Sequence, residues 1–443
     1  TRADGTTTTW AYQLCTEPGA DCPAPIAGAV SVMLAIEQSY AANAAVSSPQ
    51  SRTYLDALGR TLRVQTQGFD GAGGVGAAPT LVSDTEYNPR GQVARQSNRY
   101  VLGGTPVWTS FSYDVLGRLT RQEQPDPDAP GGVAVTSTSY FALSFTVTNS
   151  KSQTKTTTKN TQGLILQVVD HKGSSIVYSY DALGQLIQTN AAGSITSMAY
   201  NQRGQKTAML DPVMGAWDYR YNAFGELVSQ TDSGGHTVTL AYDQLGRMTK
   251  RTEADLVSDW SYDKKFDGSA CGKGVGKLCE AKAANGYVRK HTYDSLGRAS
   301  VMSTVLDNPA VPAVVSETYD LNTGRVASKT WPSGYQAFYQ FSALGYLKKV
   351  TAGGTAGFAQ TVSYEVLAMN PQGQVTQYRQ GNQVTTLRTF NTTSNRLTSQ
   401  SATKDGQAAG NVLNHSYTYD SLDNLTSRVD ANLGTQESFS YDS

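Results

Sequence analysis

The sequence predicts an all-β chain built from repeated antiparallel hairpins. Three observations carry that expectation. Thr (50), Gly (42) and Tyr (25) are abundant among the 443 residues, and these types suit pleated strands and tight turns. Charged residues are only 16%, against about 25% in ordinary globular domains. A short motif also returns many times, at nearly constant steps.

The motif is Tyr113-Asp114-Val115-Leu116-Gly117-Arg118-Leu119. It reappears at Tyr180-Asp181-Ala182-Leu183-Gly184-Gln185-Leu186, at Tyr242-Asp243-Gln244-Leu245-Gly246-Arg247-Met248 and at Tyr293-Asp294-Ser295-Leu296-Gly297-Arg298. Looser copies open at Tyr87, Tyr200, Tyr221, Tyr319, Phe341, Phe390 and Tyr419. Between 159 and 262 the copies start at 159, 180, 200, 221, 242 and 262. Elsewhere the step lengthens, which reads as insertion into loops. Such self-similarity marks a stacked repeat architecture.

One unit can be read residue by residue. Gly235-His236-Thr237-Val238-Thr239-Leu240-Ala241-Tyr242 alternates as a half-buried strand does. Asp243 is suited to the first position of a turn, where its carboxylate accepts backbone N–H groups. Gly246 suits the left-handed position of a short hairpin loop with a bulge. The return strand follows. Asp114, Asp181, Asp243 and Asp294, with Gly117, Gly184, Gly246 and Gly297, are therefore expected to build turns. Tyr113, Tyr180, Tyr242 and Tyr293 are expected to pack each hairpin on the next, because a lone hairpin is unstable. Fifteen such units side by side make a ribbon too long to stay flat. The large aliphatic residues needed to fold it into a sandwich are too few, so a curved wall is expected.

Around the array, residues 1–50 lack the motif, and Thr6–Leu14 reads as a strand and Val30–Tyr40 as a strand or short helix. Residues 51–443 form the array, broken off within Tyr441-Asp442-Ser443. With no initiator methionine, the chain reads as part of a longer polypeptide. Gly68–Pro79 and Gln124–Gly132 read as loops, and the Thr/Lys tract Ser150–Lys159 as an exposed edge strand guarded by lysines.

Composition also excludes classes. Lys+Arg and Asp+Glu are both 36, so a nucleic-acid or anionic-membrane binder relying on bulk charge is disfavoured. The longest apolar stretch, Ile26–Ile36, is too short to span a bilayer. Four cysteines fall in two close pairs, Cys15/Cys22 and Cys271/Cys279. They fit two local disulfides of a secreted or surface protein, or four thiols of a cytosolic one. Their spacing is too wide for a zinc knuckle, and no metal or cofactor is expected.

Catalytic candidates are weak. Asp232-Ser233-Gly234-Gly235 is like a serine-protease nucleophile segment, but it sits in a connecting turn with His236 three residues away. Gly272-Lys273-Gly274-Val275-Gly276-Lys277-Leu278 is like a phosphate loop without the Ser or Thr after Gly-Lys. The repeated aspartates could be paired as acid and base only by ignoring their identical place in every copy. The tyrosines could line a sugar-binding surface instead of a packing ladder. A barrel or sandwich hydrolase lacks a convergent Ser/His/Asp set.

From about Leu55 to Ser443 the motif resembles the YD repeat of the Rhs family, which is also found in teneurins and in the B and C subunits of insecticidal ABC toxin complexes. The resemblance implies a spiral β-sheet closing as a hollow shell, of which this chain would form part. In bacterial members the shell encloses a toxic C-terminal segment of the same or a partner chain, and delivery machinery is a possible further partner. In teneurins it is an extracellular scaffold, so adhesion or carbohydrate binding is the alternative. The family's self-cleaving Asp-Pro-rich core is not matched. Asp211-Pro212-Val213-Met214-Gly215 lies mid-array, so that activity is not carried over and a non-catalytic role is expected.

Overall fold

The computed structural model describes residues 2–18, 21–22, 30–71, 74–306, 311–353 and 361–441. The expected loop at Gly68–Pro79 and the stretch Ile26–Ile36 lie partly outside them, as does the last motif copy beyond Tyr441.

The described residues form 36 strands of one antiparallel sheet and two 3₁₀ turns, Val75–Ala77 and Pro130–Gly132. They contain no α-helix. Nearly every strand pairs with the next in the chain, so the sheet is a continuous meander. One departure occurs early. The two-residue strand Tyr100–Val101 folds back onto Thr80–Tyr87, while Val93–Ser97 skips it to pair with Trp108–Tyr113.

The non-repeat start joins the same sheet. Thr7–Leu14 pairs with Met33–Tyr40, which pairs with Ser51–Leu55. Within Val30–Tyr40, Met33–Tyr40 thus resolves as a strand and no helix forms. The Thr/Lys tract is corrected: Thr154–Lys159 is an interior strand, paired on one side with Ser144–Thr148 and on the other with Ile165–Val169. Thr–Thr hydroxyl contacts, such as Thr146–Thr156 at 2.8 Å, explain the composition as well as edge protection would.

Among the described residues, strands contact almost only their hydrogen-bonded neighbours, so no second layer packs on the sheet there. Its accessible surface is 24893 Å². A compact monomer of 47.4 kDa exposes about 16,000 Å². The excess is what a wall one sheet thick requires, wet on both faces.

The ribbon returns upon itself at a fixed interval. Ala42 donates its N–H to the Asn322 carbonyl at 2.7 Å. The Tyr346 hydroxyl reaches the Gln67 carbonyl, 279 residues away, at 3.0 Å. Gln372 reaches the Arg99 carbonyl, 273 residues away. Arg396 meets Asp126, 270 residues away, and Ser150 meets Ser421, 271 residues away. Setting aside Tyr100–Val101, the strands between each joined pair of turns number 23. Consecutive turns alternate between two rims, so an odd step sets a turn of one rim against the opposite rim of the previous coil. The wall is a spiral. Twenty-three strands at about 4.8 Å give a perimeter of about 110 Å and a diameter of about 35 Å.

Candidate functional site

The repeat motif is the most chemically loaded feature of the chain, and the structure assigns work to each of its positions. In the turn after Tyr242, Asp243 Oδ1 accepts the N–H groups of Leu245 and Arg247 at 2.9 and 3.0 Å. The Gly246 N–H closes the turn on the Asp243 carbonyl at 3.0 Å. Gly246 has φ +75°, in the region a side chain makes costly. Asp114, Asp181 and Asp294 accept the same pair of N–H groups, and Gly117, Gly184 and Gly297 have φ between +77° and +82°. The backbone N–H groups of Arg118 and Arg247 hold the carboxyls of Asp114 and Asp243 below the usual range, against an opposing desolvation.

The other two motif positions tie unit to unit. A bulge precedes each motif tyrosine, for example between Ala241 and Tyr242. The tyrosine hydroxyl then donates to a backbone carbonyl at the start of the previous unit's return strand. The contacts are Tyr113 to Val93 at 3.0 Å, Tyr180 to Ile165 at 2.9 Å, Tyr242 to Leu227 at 2.9 Å and Tyr293 to Leu278 at 2.8 Å. The arginine works forward. Arg247 Nε binds its own Asp243 at 2.7 Å, and its guanidinium lies 4.5 Å from the centroid of the Tyr262 ring in the next unit. Arg118 over Tyr140 and Arg298 over Tyr319 repeat this at 4.2 Å. Each motif residue is thus occupied inside the wall.

The seam between coils is the second candidate. Its centre is Arg396, which reaches Asp126 Oδ1 and Oδ2 at 2.7 and 2.8 Å, Asp128 at 2.7 Å and Asp423 at 2.5 Å. The side chains of Arg396 and Asp126 are 8% and 4% exposed. Burial alone would lower the guanidinium pKa, but the three carboxylates prevail and hold it above its ordinary value. Farther along, Asp420 takes an ion pair from Lys151. Burial opposes the charged carboxyl, yet Lys151 and the N–H groups of Leu422 and Asn424 pull its pKa down to about 2. Leu344, in a motif-type turn of the later coil, is 2% exposed where it meets Asp70. Leu116, Leu183 and Leu245, at the matching position on the earlier coil, are at least 73% exposed.

The weak catalytic candidates do not assemble. The Ser233 hydroxyl donates to the Met214 carbonyl at 2.9 Å, while the His236 ring faces Asp232 at 3.1 Å. Gly272–Leu278 is a loop pinned by the Cys271–Cys279 disulfide, and it leads into the strand Leu278–Ala283 rather than a helix. Cys15 and Cys22 form the other disulfide. Among the described residues, no three His, Cys, Asp or Glu side chains gather as a metal site. No helix there is long and apolar enough to cross a membrane. The tyrosine tether and the Arg396 clamp had no sequence signal of their own.

A single curled sheet of motif turns, with coils clamped edge to edge, defines a class: a spiral-walled β-repeat protein. The RHS repeat family model matches residues 160–195 and 221–255. A stretch of 100 residues, 22% of this chain, is 33% identical to the tRNA nuclease WapA of Bacillus subtilis strain 168 and covers 4% of that protein. The TcdB2-TccC3-TEV crystal structure superposes with a TM-score of 0.76 at 14% identity, covering 95% of this chain and 23% of that one. A Photorhabdus luminescens Tc holotoxin pore gives 0.75 at 14% identity, covering 91% and 23%. The chain thus carries RHS repeats over those matched residues and shares the fold of these solved chains, and it spans less than a quarter of their length.

Proposed function

We propose that this chain is a non-catalytic segment of a shell that encloses a toxic polypeptide cargo of the same or a partner chain. The observation that carries the reading is the thin spiral wall itself. Its excess surface and 23-strand coil leave a lumen about 25 Å across once the thickness of the wall, about 10 Å, is subtracted. Abundant Thr, Ser, Asn and Gln keep the wall wetted, so an unfolded cargo is held without being glued to it.

The motif residues are spent on turns and tethers, which supports a scaffold role for Asp114, Asp181, Asp243 and Asp294 over an acid–base one. The two disulfides support a secreted or cell-surface location. We keep residues 1–50 as leading strands and 51–443 as the array. The exposed leucine rim of the earlier coil fits the opposite rim of a further coil, as Leu344 shows within the chain. A continuing wall is therefore the partner that the rim favours.

Enclosure can be tested directly. A flexible polypeptide fused after Ser443 is digested with trypsin, alone and in the fusion. Enclosure predicts cleavage at least about tenfold slower in the fusion. Equal rates would remove the reading.

A further inference from the structure

The early departure from the meander has a consequence at the seam. Where Tyr100–Val101 folds back, the chain between Asn98 and Val107 stands out from the ribbon, and the later coil passes it with the turn Asn391–Asn395. Between them lies a cleft of about 400 Å³, within the size range of small-molecule sites. The fold-back is firmly held. The Tyr100 hydroxyl donates to Asp84 at 2.5 Å, and Asp84 is gripped by Arg63 at 2.6 and 2.7 Å.

The cleft gathers two arginines that no carboxylate neutralises, unlike the arginines of the motif turns and the clamp. Arg60, Arg118, Arg247, Arg298 and Arg396 are all neutralised by carboxylates. The cleft is lined by Arg99 and Arg388 and by no Asp or Glu. Among the described residues, neither arginine meets a carboxylate. Arg388 instead donates Nε to Gln400 at 3.0 Å and stacks at 5.0 Å on Tyr378, which leaves its outer nitrogens available. Phe390, Asn391 and Asn395 also line the cleft, the Asn391 Oδ1 being taken by the Thr393 and Ser394 N–H groups at 2.9 Å.

We infer that this cleft binds an acidic sugar, a monosaccharide unit bearing a carboxylate. Two unneutralised guanidiniums fit a carboxylate. The Asn395 amide can meet hydroxyls as donor and acceptor and the Asn391 amide as donor, and an aromatic ring covers the apolar face of a pyranose. The inference stands apart from cargo enclosure, since it rests on the cleft between the coils and needs no enclosed cargo.

The experiment is a calorimetric or saturation-transfer titration of the whole chain with D-glucuronate, D-glucose and acetate. Glucuronate should bind at least about tenfold more tightly than either of the others. Arg99→Gln, whose side chain has no hydrogen bond to lose among the described residues, should melt as wild type and bind glucuronate about as weakly as glucose. Equal binding of glucuronate and glucose, no binding of either, or an unchanged Arg99→Gln protein overturns the inference. Acetate binding as tightly as glucuronate overturns the sugar assignment.

Discussion

Replacing Arg396 by Met should open the seam between coils. The guanidinium serves three carboxylates at once, and Asp126, its bidentate partner, is almost wholly buried. Methionine keeps much of the volume but leaves the Asp126 charge without a cation. Breaking a buried pair from one side costs about 3–5 kcal/mol. In a repeat wall this cost need not appear in one global transition. The assay is therefore amide hydrogen exchange at the two turns that meet, Asp126–Gly132 and Asn391–Asn395. Exchange there should accelerate by about two to four orders of magnitude, with little change near Tyr242. Adding Asp126→Asn to Arg396→Met should recover part of the loss. The asparagine Oδ1 still accepts the Asp128 N–H that Asp126 accepts at 2.9 Å, and the stranded charge is gone. Exchange within about threefold of wild type in the single variant would refute the argument that the clamp joins the coils.

Three further perturbations follow from the same geometry. Gly246→Val should destabilise its hairpin by at least about 1–2 kcal/mol, seen as faster exchange at Asp243–Met248, because φ is +75° and the new Cβ lies 3.1 Å from Glu226. Tyr242→Phe should cost about 0.5–1.5 kcal/mol, since only the hydroxyl bond to the Leu227 carbonyl is lost and water can replace it; exchange at Leu227–Thr231 is the readout. Acid should loosen the seam at Asp420: its folded pKa of about 2 lies below the ordinary 3.8, so the stabilisation is complete above pH 4 and is lost as pH falls through 2. That contribution is about 1–2 kcal/mol after solvent screening, and Lys151→Met should shrink the acid-dependent change in exchange at Asn149–Gln153.

The repeat was legible because local chemistry dictates it. Alternating Thr, Val and Tyr with a glycine-bearing turn every 20 or 21 residues leaves few structures other than stacked hairpins, and the all-β sheet follows. The close cysteine pairs were equally local. What was hidden is long-range. Asp126 and Arg396 carry no motif, and nothing in either neighbourhood announces a partner 270 residues away. The Thr/Lys tract misled because edge and interior strands alternate alike, and its neighbour Ser144–Thr148 carries no motif to reveal the pairing. The tyrosine hydroxyl was missed for a different reason. Its acceptor is a backbone carbonyl freed by a bulge, and bulges leave little trace in side-chain pattern. The seam cleft depends on both effects, a local fold-back at Tyr100 and a coil that returns beside it.

The wall is one layer thick and curls into coils of 23 strands. Thr239 and Thr389 are exposed residues 12 strands apart, about half a coil. Spin labels at these two positions, measured by pulsed dipolar spectroscopy, should sit about 25–45 Å apart, on opposite sides of a hollow. A separation under about 15 Å would mean that the sheet folds onto itself as a sandwich, and one beyond about 55 Å would mean an uncoiled ribbon. Either result would contradict the spiral wall.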